Sequence, residues 1–282
     1  MTFYGSDSSK ADWVIPSDGL DGFGAFTNSF TTVNNAIGDG SILSSTRIAQ
    51  KDRTIKAVSR SIANNDTLRA QAIEFFAGKH TYKIYLTYMG VTRWCEGKIY
   101  KFELPSENVN KHMHLQVTFM CTNPYMKSYD DFGKDIASIS GMAGFPFLCA
   151  AERSYHVPQG TTSGIYNFSQ TVVLSNDGDT AAGCRVIIQA SGTVENPKVT
   201  INGHYVRVLD ELEAGDRIEI DFTANPPTVR KNDVNILGKC DRTSAFDEME
   251  LQIGDNTAAF DADNGSDNMA VSIYYNKLYT AI

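Results

Sequence analysis

Residues 113–121 constrain the fold more than any other stretch, because mostly apolar and mostly polar positions alternate along them. A period of two is typical of a β-strand with one buried face. Pro124 follows shortly afterwards and ends the strand, since it has no N–H for a ladder and holds Asn123 in extended geometry. We expect this strand to be the last one of an N-terminal domain. The alternation sets Met113, Leu115, Val117, Phe119 and Cys121 against His114, Gln116, Thr118 and Met120.

Bulk composition places the chain among ordinary globular proteins and argues against several functional classes. Its 282 residues allow one or two domains, each with a substantial core. The formal net charge of −8 argues against a general nucleic-acid binder, which needs a basic surface, although it suits a channel wall that does not adhere to DNA. We expect no signal peptide, because the N-terminus has no basic region followed by an apolar core. We expect no membrane-spanning segment, because no apolar run of about 18 residues is present.

The five cysteines point to reduced thiols rather than a disulfide framework. Their number is odd, their spacing is irregular and no C-x-x-C motif occurs. Cys121, Cys149 and Cys184 lie in apolar runs, where cysteine behaves as a small hydrophobic residue. The sequence therefore predicts synthesis in a cytosol.

The first part of the chain predicts an α+β domain. For residues 1–50 we expect irregular strands with glycine-rich connections. This segment is either an interaction surface or an arm without a specific role. A helix is predicted over 66–77, with Asp66 as N-cap, Gly78 as left-handed C-cap and an apolar stripe that includes Phe75 and Phe76. The rest of this domain is predicted as an antiparallel sheet, with strands at 53–62, 82–89, 93–104 (bulged at Gly97) and 113–121.

After residue 165 the predicted strands become short and regularly spaced, with turn signals between them. This pattern is typical of a β-sandwich or jelly roll. Asn202-Gly203 suits a tight type I′ hairpin, since both central residues need positive φ. The predicted strands are Phe168–Leu174, Cys184–Ala190, Lys198–Ile201, Tyr205–Leu209, Arg217–Phe222, Thr228–Val229 with Val234–Leu237, Met249–Ile253 and Met269–Tyr275.

Two groups of residues contain possible metal ligands, but neither matches the pattern of a known metal site. His112 and His114 share a strand face, but structural zinc needs about four ligands and none of the others is nearby on that face. The segment Asp261–Asp267 resembles a calcium loop until its positions are counted. Gly265 then falls at position 5 instead of 6, and Ser272 at position 12 instead of Glu. A solvated sheet face and an acidic hairpin loop are the simpler interpretations.

No catalytic motif is visible. G-x-S-x-G, Walker A and G-x-G-x-x-G are all absent, and the carboxylates are scattered through turns. Trp94 and the Tyr-rich strand 82–88 have two interpretations. They form either a face that binds sugar or protein, or part of the ordinary internal packing of a sheet. We therefore assign no catalytic, cofactor-binding or metal-ligating residue, and expect a structural or binding protein rather than an enzyme.

The order of these parts resembles the distal tail proteins of long-tailed bacteriophages. The likeness extends over nearly the whole chain, although each fragment is short. The segments that carry it are Gly19-Leu20, Asp39-Gly40, Leu43, Arg53–Val58, Leu68–Gly78, Tyr82–Met89 with Arg93–Leu104, Leu115–Cys121, Asn123–Tyr125, Asn176–Gly178, Glu195–Asn202, Leu212–Asp221, Leu251–Asn256 and Val271–Tyr275.

This resemblance implies a mainly β protein with a ring-forming belt domain at 1–135, a linker at 136–165 and a galectin-like β-sandwich at 166–282. It also implies a homo-hexameric ring at the distal tip of a virion tail, made in the bacterial host cytoplasm. The ring would join the tail tube protein to tail-tip hub or receptor-binding proteins, and DNA would be present only as the genome passing through the lumen. An acidic wall suits that passage, because it repels phosphate.

Two departures from the family pattern and two other functions stay open. No stretch is long enough for an inserted carbohydrate-binding module, whereas 1–50 and 126–165 are longer and richer in glycine than a minimal member needs. A carbohydrate-binding adhesin using the C-terminal sandwich is the first alternative, although both Trp residues, Trp13 and Trp94, lie in the first domain. A hydrolase with an accessory sandwich is the second.

Overall fold

The protein is described by a computed structural model, which covers residues 3–5, 12–24, 27–35, 38–105, 111–129, 132–137 and 171–282. The predicted linker at 136–165 and Cys149 fall almost wholly outside these residues, and the predicted domain bounds stay a prediction. No helix in the described ranges is long and apolar enough to cross a membrane.

The described chain is mainly β, which confirms the predicted fold class. The first half contains β1 (Tyr4–Gly5), β2 (Trp13–Ile15), β3 (Leu20–Asp21), β4 (Asn28–Asn34), β5 (Ser41–Ile48), β6 (Lys51–Ser59), α1 (Asn65–Phe76), β7 (Thr81–Tyr88), β8 (Val91–Glu103), β9 (His114–Cys121) and β10 (Met126–Ser128).

The second half adds β11 (Phe132–Ala137), β12 (Thr171–Asn176), β13 (Ala182–Ala190), β14 (Val194–Glu195), β15 (Lys198–Ile201), β16 (His204–Arg207), β17 (Glu211–Leu212), β18 (Arg217–Asp221), β19 (Thr228–Lys231), β20 (Val234–Asn235), β21 (Glu250–Leu251), β22 (Gly254–Asp261), β23 (Met269–Tyr275) and β24 (Leu278–Tyr279). Three 3₁₀ turns lie at Leu237–Lys239, Phe246–Glu248 and Ser266–Asn268.

Two compact units make up the chain. Unit 1 comprises residues 1–129 together with 278–282, and unit 2 comprises residues 130–277. Unit 1 is built on a nine-stranded sheet in the order β1-β2-β6-β9-β8-β10-β24, with β3 on β6 and β7 on β8. The chain thus leaves unit 1 after β10 and returns to it at β24, which pairs with β10.

Strand β9 is central in unit 1, as its alternation predicts. It pairs antiparallel with β6 and β8. Its inward side chains Leu115, Val117, Phe119 and Cys121 are all buried, and α1 packs on the same face through Phe76, whose ring centroid lies 6.3 Å from that of Phe119. Burying an apolar side chain of this size stabilises the fold by about 1.5–3 kcal/mol, so this face carries much of the stability of the unit.

Helix α1 confirms the predicted segment but not its caps. Its N-cap is Asn64 without a side-chain hydrogen bond, and its C-cap is Ala77 in right-handed geometry. The caps predicted at Asp66 and Gly78 are therefore wrong. Gly78 has no left-handed backbone geometry, and the atoms nearest to the place of a Cβ there belong to the exposed side chain of His80.

The predicted Phe pair on α1 and the predicted bulge in β8 also need correction. Phe76 is buried, but Phe75 is 44% exposed. The register of β8 shifts between Ile99 and Lys101, which places the irregularity at Tyr100 rather than at Gly97. Gly97 instead allows close approach of the neighbouring strand, since a Cβ there would lie 3.0 Å from Sγ of Cys121.

Unit 2 contains a seven-stranded and a four-stranded sheet that share one core, as expected for a sandwich. The larger sheet runs β11-β23-β13-β18-β19-β20 with β21 on β13, and the smaller runs β12-β22-β15-β16. Buried side chains from both sheets form one cluster, for example Val186 and Ile273 from the first and Val199 and Phe260 from the second. The galectin-like detail stays a prediction.

The turn and loop predictions in unit 2 have mixed outcomes. Asn202 and Gly203 have φ of 50° and 87° between β15 and β16, which confirms the predicted tight hairpin. The loop at 262–268 links β22 to β23, which belong to different sheets, so it is a crossover and not a hairpin loop. Residues 254–261 form β22, although the sequence predicted a turn at its start.

Buried Asn256 fixes the start of β22. Its Nδ2 donates to the carbonyl oxygens of Gln252 at 2.8 Å and Gly254 at 2.9 Å, and its Oδ1 accepts from the Gln252 N–H at 2.7 Å and from Nδ2 of Asn202 at 2.7 Å. The side chain is 1% exposed. Water therefore has little access to these groups if the amide is removed.

We expect Asn256→Ala to lower the free energy of unfolding of unit 2 by about 2–4 kcal/mol, because several buried backbone groups lose their partner. Urea unfolding of the full chain followed by circular dichroism measures this change. Asn264→Ala is the matched control, since Asn264 is exposed and its side chain bonds Glu195 at 2.7 Å. Equal losses for the two variants would contradict the role given to Asn256.

Candidate assembly interface

The hairpin formed by β4 and β5 is the most exposed regular structure of unit 1. The two strands pair only with each other and make a two-stranded sheet of their own. All of their residues are exposed except Ser29 and Ile48, which are half-buried. Neither strand contributes a side chain to the core of unit 1.

Apolar side chains stand on both faces of this hairpin. Val33 and Ile42 lie directly opposite each other and are 57% and 64% exposed. Leu43, the next residue along β5, points to the other face and is 55% exposed, and Phe30 is 60% exposed. An isolated hairpin is only marginally stable in water, and a contiguous exposed apolar surface marks an interaction site. The hairpin is therefore a candidate interaction surface.

A polar cavity of about 390 Å³ lies at the foot of the hairpin. Asp21, Gly24 and Thr27 line it together with Gln50 to Asp52. Lys51 crosses it and donates from Nζ to the carbonyl oxygen of Gly24. Burial, and then the neighbouring charge of Arg53, lower the pKa of Lys51. These contacts fix the backbone from which the hairpin leaves the sheet.

The aromatic face predicted from Trp94 and the strand at 82–88 divides between the two sides of the sheet. Tyr82 points inward, with its ring centroid 5.8 Å from that of Phe119. Tyr85 pairs in register with Trp94, and both point away from the core of unit 1. Only the outward pair is placed to meet a partner.

Two of the residues weighed as metal ligands, His112 and Asp263, have ordinary local partners. His112 precedes β9, and its Nδ1 lies 2.6 Å from the carbonyl oxygen of Ser59. Asp263 accepts a hydrogen bond from Nδ2 of Asn196 at 2.8 Å and forms an ion pair with Arg207. Among the described residues, no three His, Cys, Asp or Glu side chains are grouped to hold a metal ion.

A buried charge in unit 1 was not foreseen from the sequence. Arg53 is fully buried, and its Nη2 donates to the carbonyl oxygen of Pro124 at 2.7 Å. Its Nε and Nη1 have no hydrogen-bond partner in the described chain. The period-two pattern of β6 does contain the signal, because Arg53 shares its inward parity with Ile55 and Ala57.

Two buried thiols lie beside this guanidinium group. Cys95 on β8 and Cys121 on β9 are 1% and 0% exposed. The S–H of Cys95, followed by the positive charge of Arg53, lowers the pKa of Cys121 to about 6, in spite of its burial. The same contact with Cys121 raises the pKa of Cys95. The S–H of Cys95 and the guanidinium group of Arg53 therefore both favour loss of the Cys121 proton.

Comparison with known proteins finds one family model that matches the C-terminal part of the chain. Residues 177–279 match the family described as "Siphovirus-type tail component, C-terminal domain". The resemblance to phage distal tail proteins carried by the sequence motifs is therefore confirmed. No curated protein matches the chain significantly.

Solved structures extend the likeness to nearly the whole chain. The crystal structure of the Dit protein of phage SPP1, described as a paradigm of the hub adsorption apparatus in phages that infect Gram-positive bacteria, is similar with a TM-score of 0.62 and 11% identity. That match covers 94% of this chain and 93% of the other. The phage P2 baseplate in its activated conformation with Ca matches with a TM-score of 0.52, 10% identity and coverage of 97% and 93%. At these identities the likeness is one of fold.

The Arg53–Cys121 pair predicts a pH dependence of stability. The folded chain releases the Cys121 proton near pH 6, whereas the unfolded thiol keeps it up to its ordinary pKa of 9.0. Stability from this group is fully present above pH 9 and is lost as the pH falls through 6. We expect Cys121→Ser to remove the rise in stability of unit 1 across this window. Urea unfolding under reducing conditions, followed by tryptophan fluorescence, measures it, since both Trp residues lie in unit 1.

Cys240→Ser is the control for this experiment. Cys240 lies in unit 2, and burial raises its pKa to about 11, outside the window. Its replacement is expected to leave the pH profile of the fluorescence transition unchanged. Parallel profiles for the unsubstituted chain and Cys121→Ser would contradict the lowered pKa of Cys121.

Proposed function

We propose that this protein is a structural component of a phage virion that builds a closed ring, of six copies, at the distal end of the tail. The observation that carries the proposal is the combined match of residues 177–279 to a siphovirus-type tail component and of 94% of the chain to the fold of a tail hub protein. In this role the chain joins the tail tube to the hub and adhesion proteins and has no enzymatic activity.

The β4–β5 hairpin supports self-association. A closed ring uses a heterologous contact, in which one surface of each copy meets a different surface of the next. A projecting hairpin with apolar side chains on both faces suits that geometry, because it reaches beyond its own unit. Val33, Ile42 and Leu43 supply the apolar area.

The charge of the chain supports a place around the genome channel. The formal net charge is −8 at pH 7, so six copies present a strongly acidic assembly. Such a surface repels the phosphate backbone, and DNA passes without being held. This leaves proteins, rather than nucleic acid, as the lasting partners of the ring.

Solution mass tests the ring directly. One chain is 31.0 kDa, so a closed ring of six has a mass of about 186 kDa by light scattering. Negative-stain images are expected to show a central hole. A chain that stays monomeric up to millimolar concentration would contradict self-assembly.

We expect Val33→Thr combined with Ile42→Thr to move the mass toward that of the monomer. Threonine keeps the branched shape that strands favour but removes apolar surface, which weakens each contact by about 1 kcal/mol or more. The matched control is Val234→Thr with Ile253→Thr, since these unit 2 side chains are 65% and 63% exposed. An unchanged ring with the hairpin variant would exclude the hairpin as the contact.

A further inference from the structure

An unusual row of side chains crosses three strands of unit 1. Tyr85 on β7, Trp94 on β8 and Lys127 on β10 lie directly opposite one another in register. They occupy the sheet face turned away from the core, because their sequence neighbours Ile84, Cys95 and Met126 point into it. Trp94 is 9% exposed and yet belongs to neither core cluster.

Two lysines cover the ring of Trp94. The Nζ atoms of Lys83 and Lys127 lie 4.9 and 4.6 Å from its centroid. The indole Nε1 donates to the carbonyl oxygen of Ser128 at 2.8 Å, which fixes the ring next to both ammonium groups. A cation above an indole face is attracted by the ring quadrupole, but much more weakly than by an anion in the same place.

Neither lysine has an anionic partner in the part of the chain that the structure describes. Glu96 lies opposite Lys83 in the β7–β8 register, but the two side chains form no ion pair. Lys101, further along β8, does pair with Glu103 at 2.7 Å. Within the described residues, the two ammonium groups near Trp94 therefore have no carboxylate partner.

Two exposed tyrosines extend the surface. Tyr85 is 54% exposed, with its ring centroid 6.1 Å from that of Trp94. Tyr129 is 62% exposed and lies 6.0 Å from Tyr85 by the same measure. We call Lys83, Tyr85, Trp94, Lys127 and Tyr129 the lysine–aromatic patch. It combines positive charge with the residue types that most often dominate protein interfaces.

We propose that the lysine–aromatic patch binds an acidic segment of a partner protein. Carboxylates complement the two ammonium groups, which have no carboxylate partner in the described part of the chain, and the tyrosine rings offer apolar area beside them. A nucleic acid is a poorer occupant, because the patch has only two cations in a chain of net charge −8. The choice of a protein rests on the proposed function, since a ring at the end of a tail contacts further proteins on both sides.

A glutamate-rich synthetic peptide with a fluorescent label is the probe, titrated with the full chain at low salt and followed by anisotropy. Lys83→Gln with Lys127→Gln is expected to weaken binding by about tenfold. Lys79→Gln with Lys111→Gln is the matched control, since it removes the same charge from two exposed positions of unit 1 and is expected to leave binding unchanged. Binding is also expected to change the emission of Trp94 and to weaken with added salt.

Several outcomes would overturn the proposal. They are equal weakening by both double variants, tighter binding of a single-stranded oligothymidylate than of the peptide, and no saturable binding of the peptide. A fourth is a loss of the ring mass in Lys83→Gln with Lys127→Gln, because the occupant would then be a neighbouring copy of this chain. Peptide binding is measured separately from ring formation, so a failure of the patch and a failure of the ring are distinguishable.

Discussion

The burial of one face of β9 is the constraint on which unit 1 depends. A slip of one residue in its pairing would turn Val117 and Phe119 to the solvent and carry Gln116 into the core. The slip is prevented from both sides, because β6 and β8 pair along the strand and α1 closes the face. Gly97 contributes by leaving room for Cys121, so two strands approach where a larger residue would separate them.

A sequence pattern predicts an element well where the element buries one face against a filled core. Strands β15 and β23 have the predicted bounds, and β9 differs from its prediction by one residue. Strand β22 was not predicted at all, because Gly254 and two alanines have low β propensity. The strand forms because it pairs with β12 and β15, and these long-range pairings cannot be predicted from the local sequence.

The helix caps and the assembly surfaces were harder to predict for a related reason. Capping by Asp66 was predicted from residue type, yet Asn65 donates to the carbonyl oxygen of distant Lys111 and the helix starts one residue earlier. In the hairpin, the sequence around Phe30 and Val33 does not differ from that of a strand whose apolar side chains are buried in a core. These residues are recognised as surface rather than core only from the structure, where no second layer of the described residues covers the hairpin.

The return of the chain to unit 1 at β24 makes unit 2 an insertion between two strands that are hydrogen-bonded neighbours. The edge of the nine-stranded sheet closes only after residue 278 has been synthesised, so the last step of unit 1 folding waits for the whole of unit 2. A domain inserted at this place has to bring its two ends back to neighbouring strands, which lie about 4.8 Å apart.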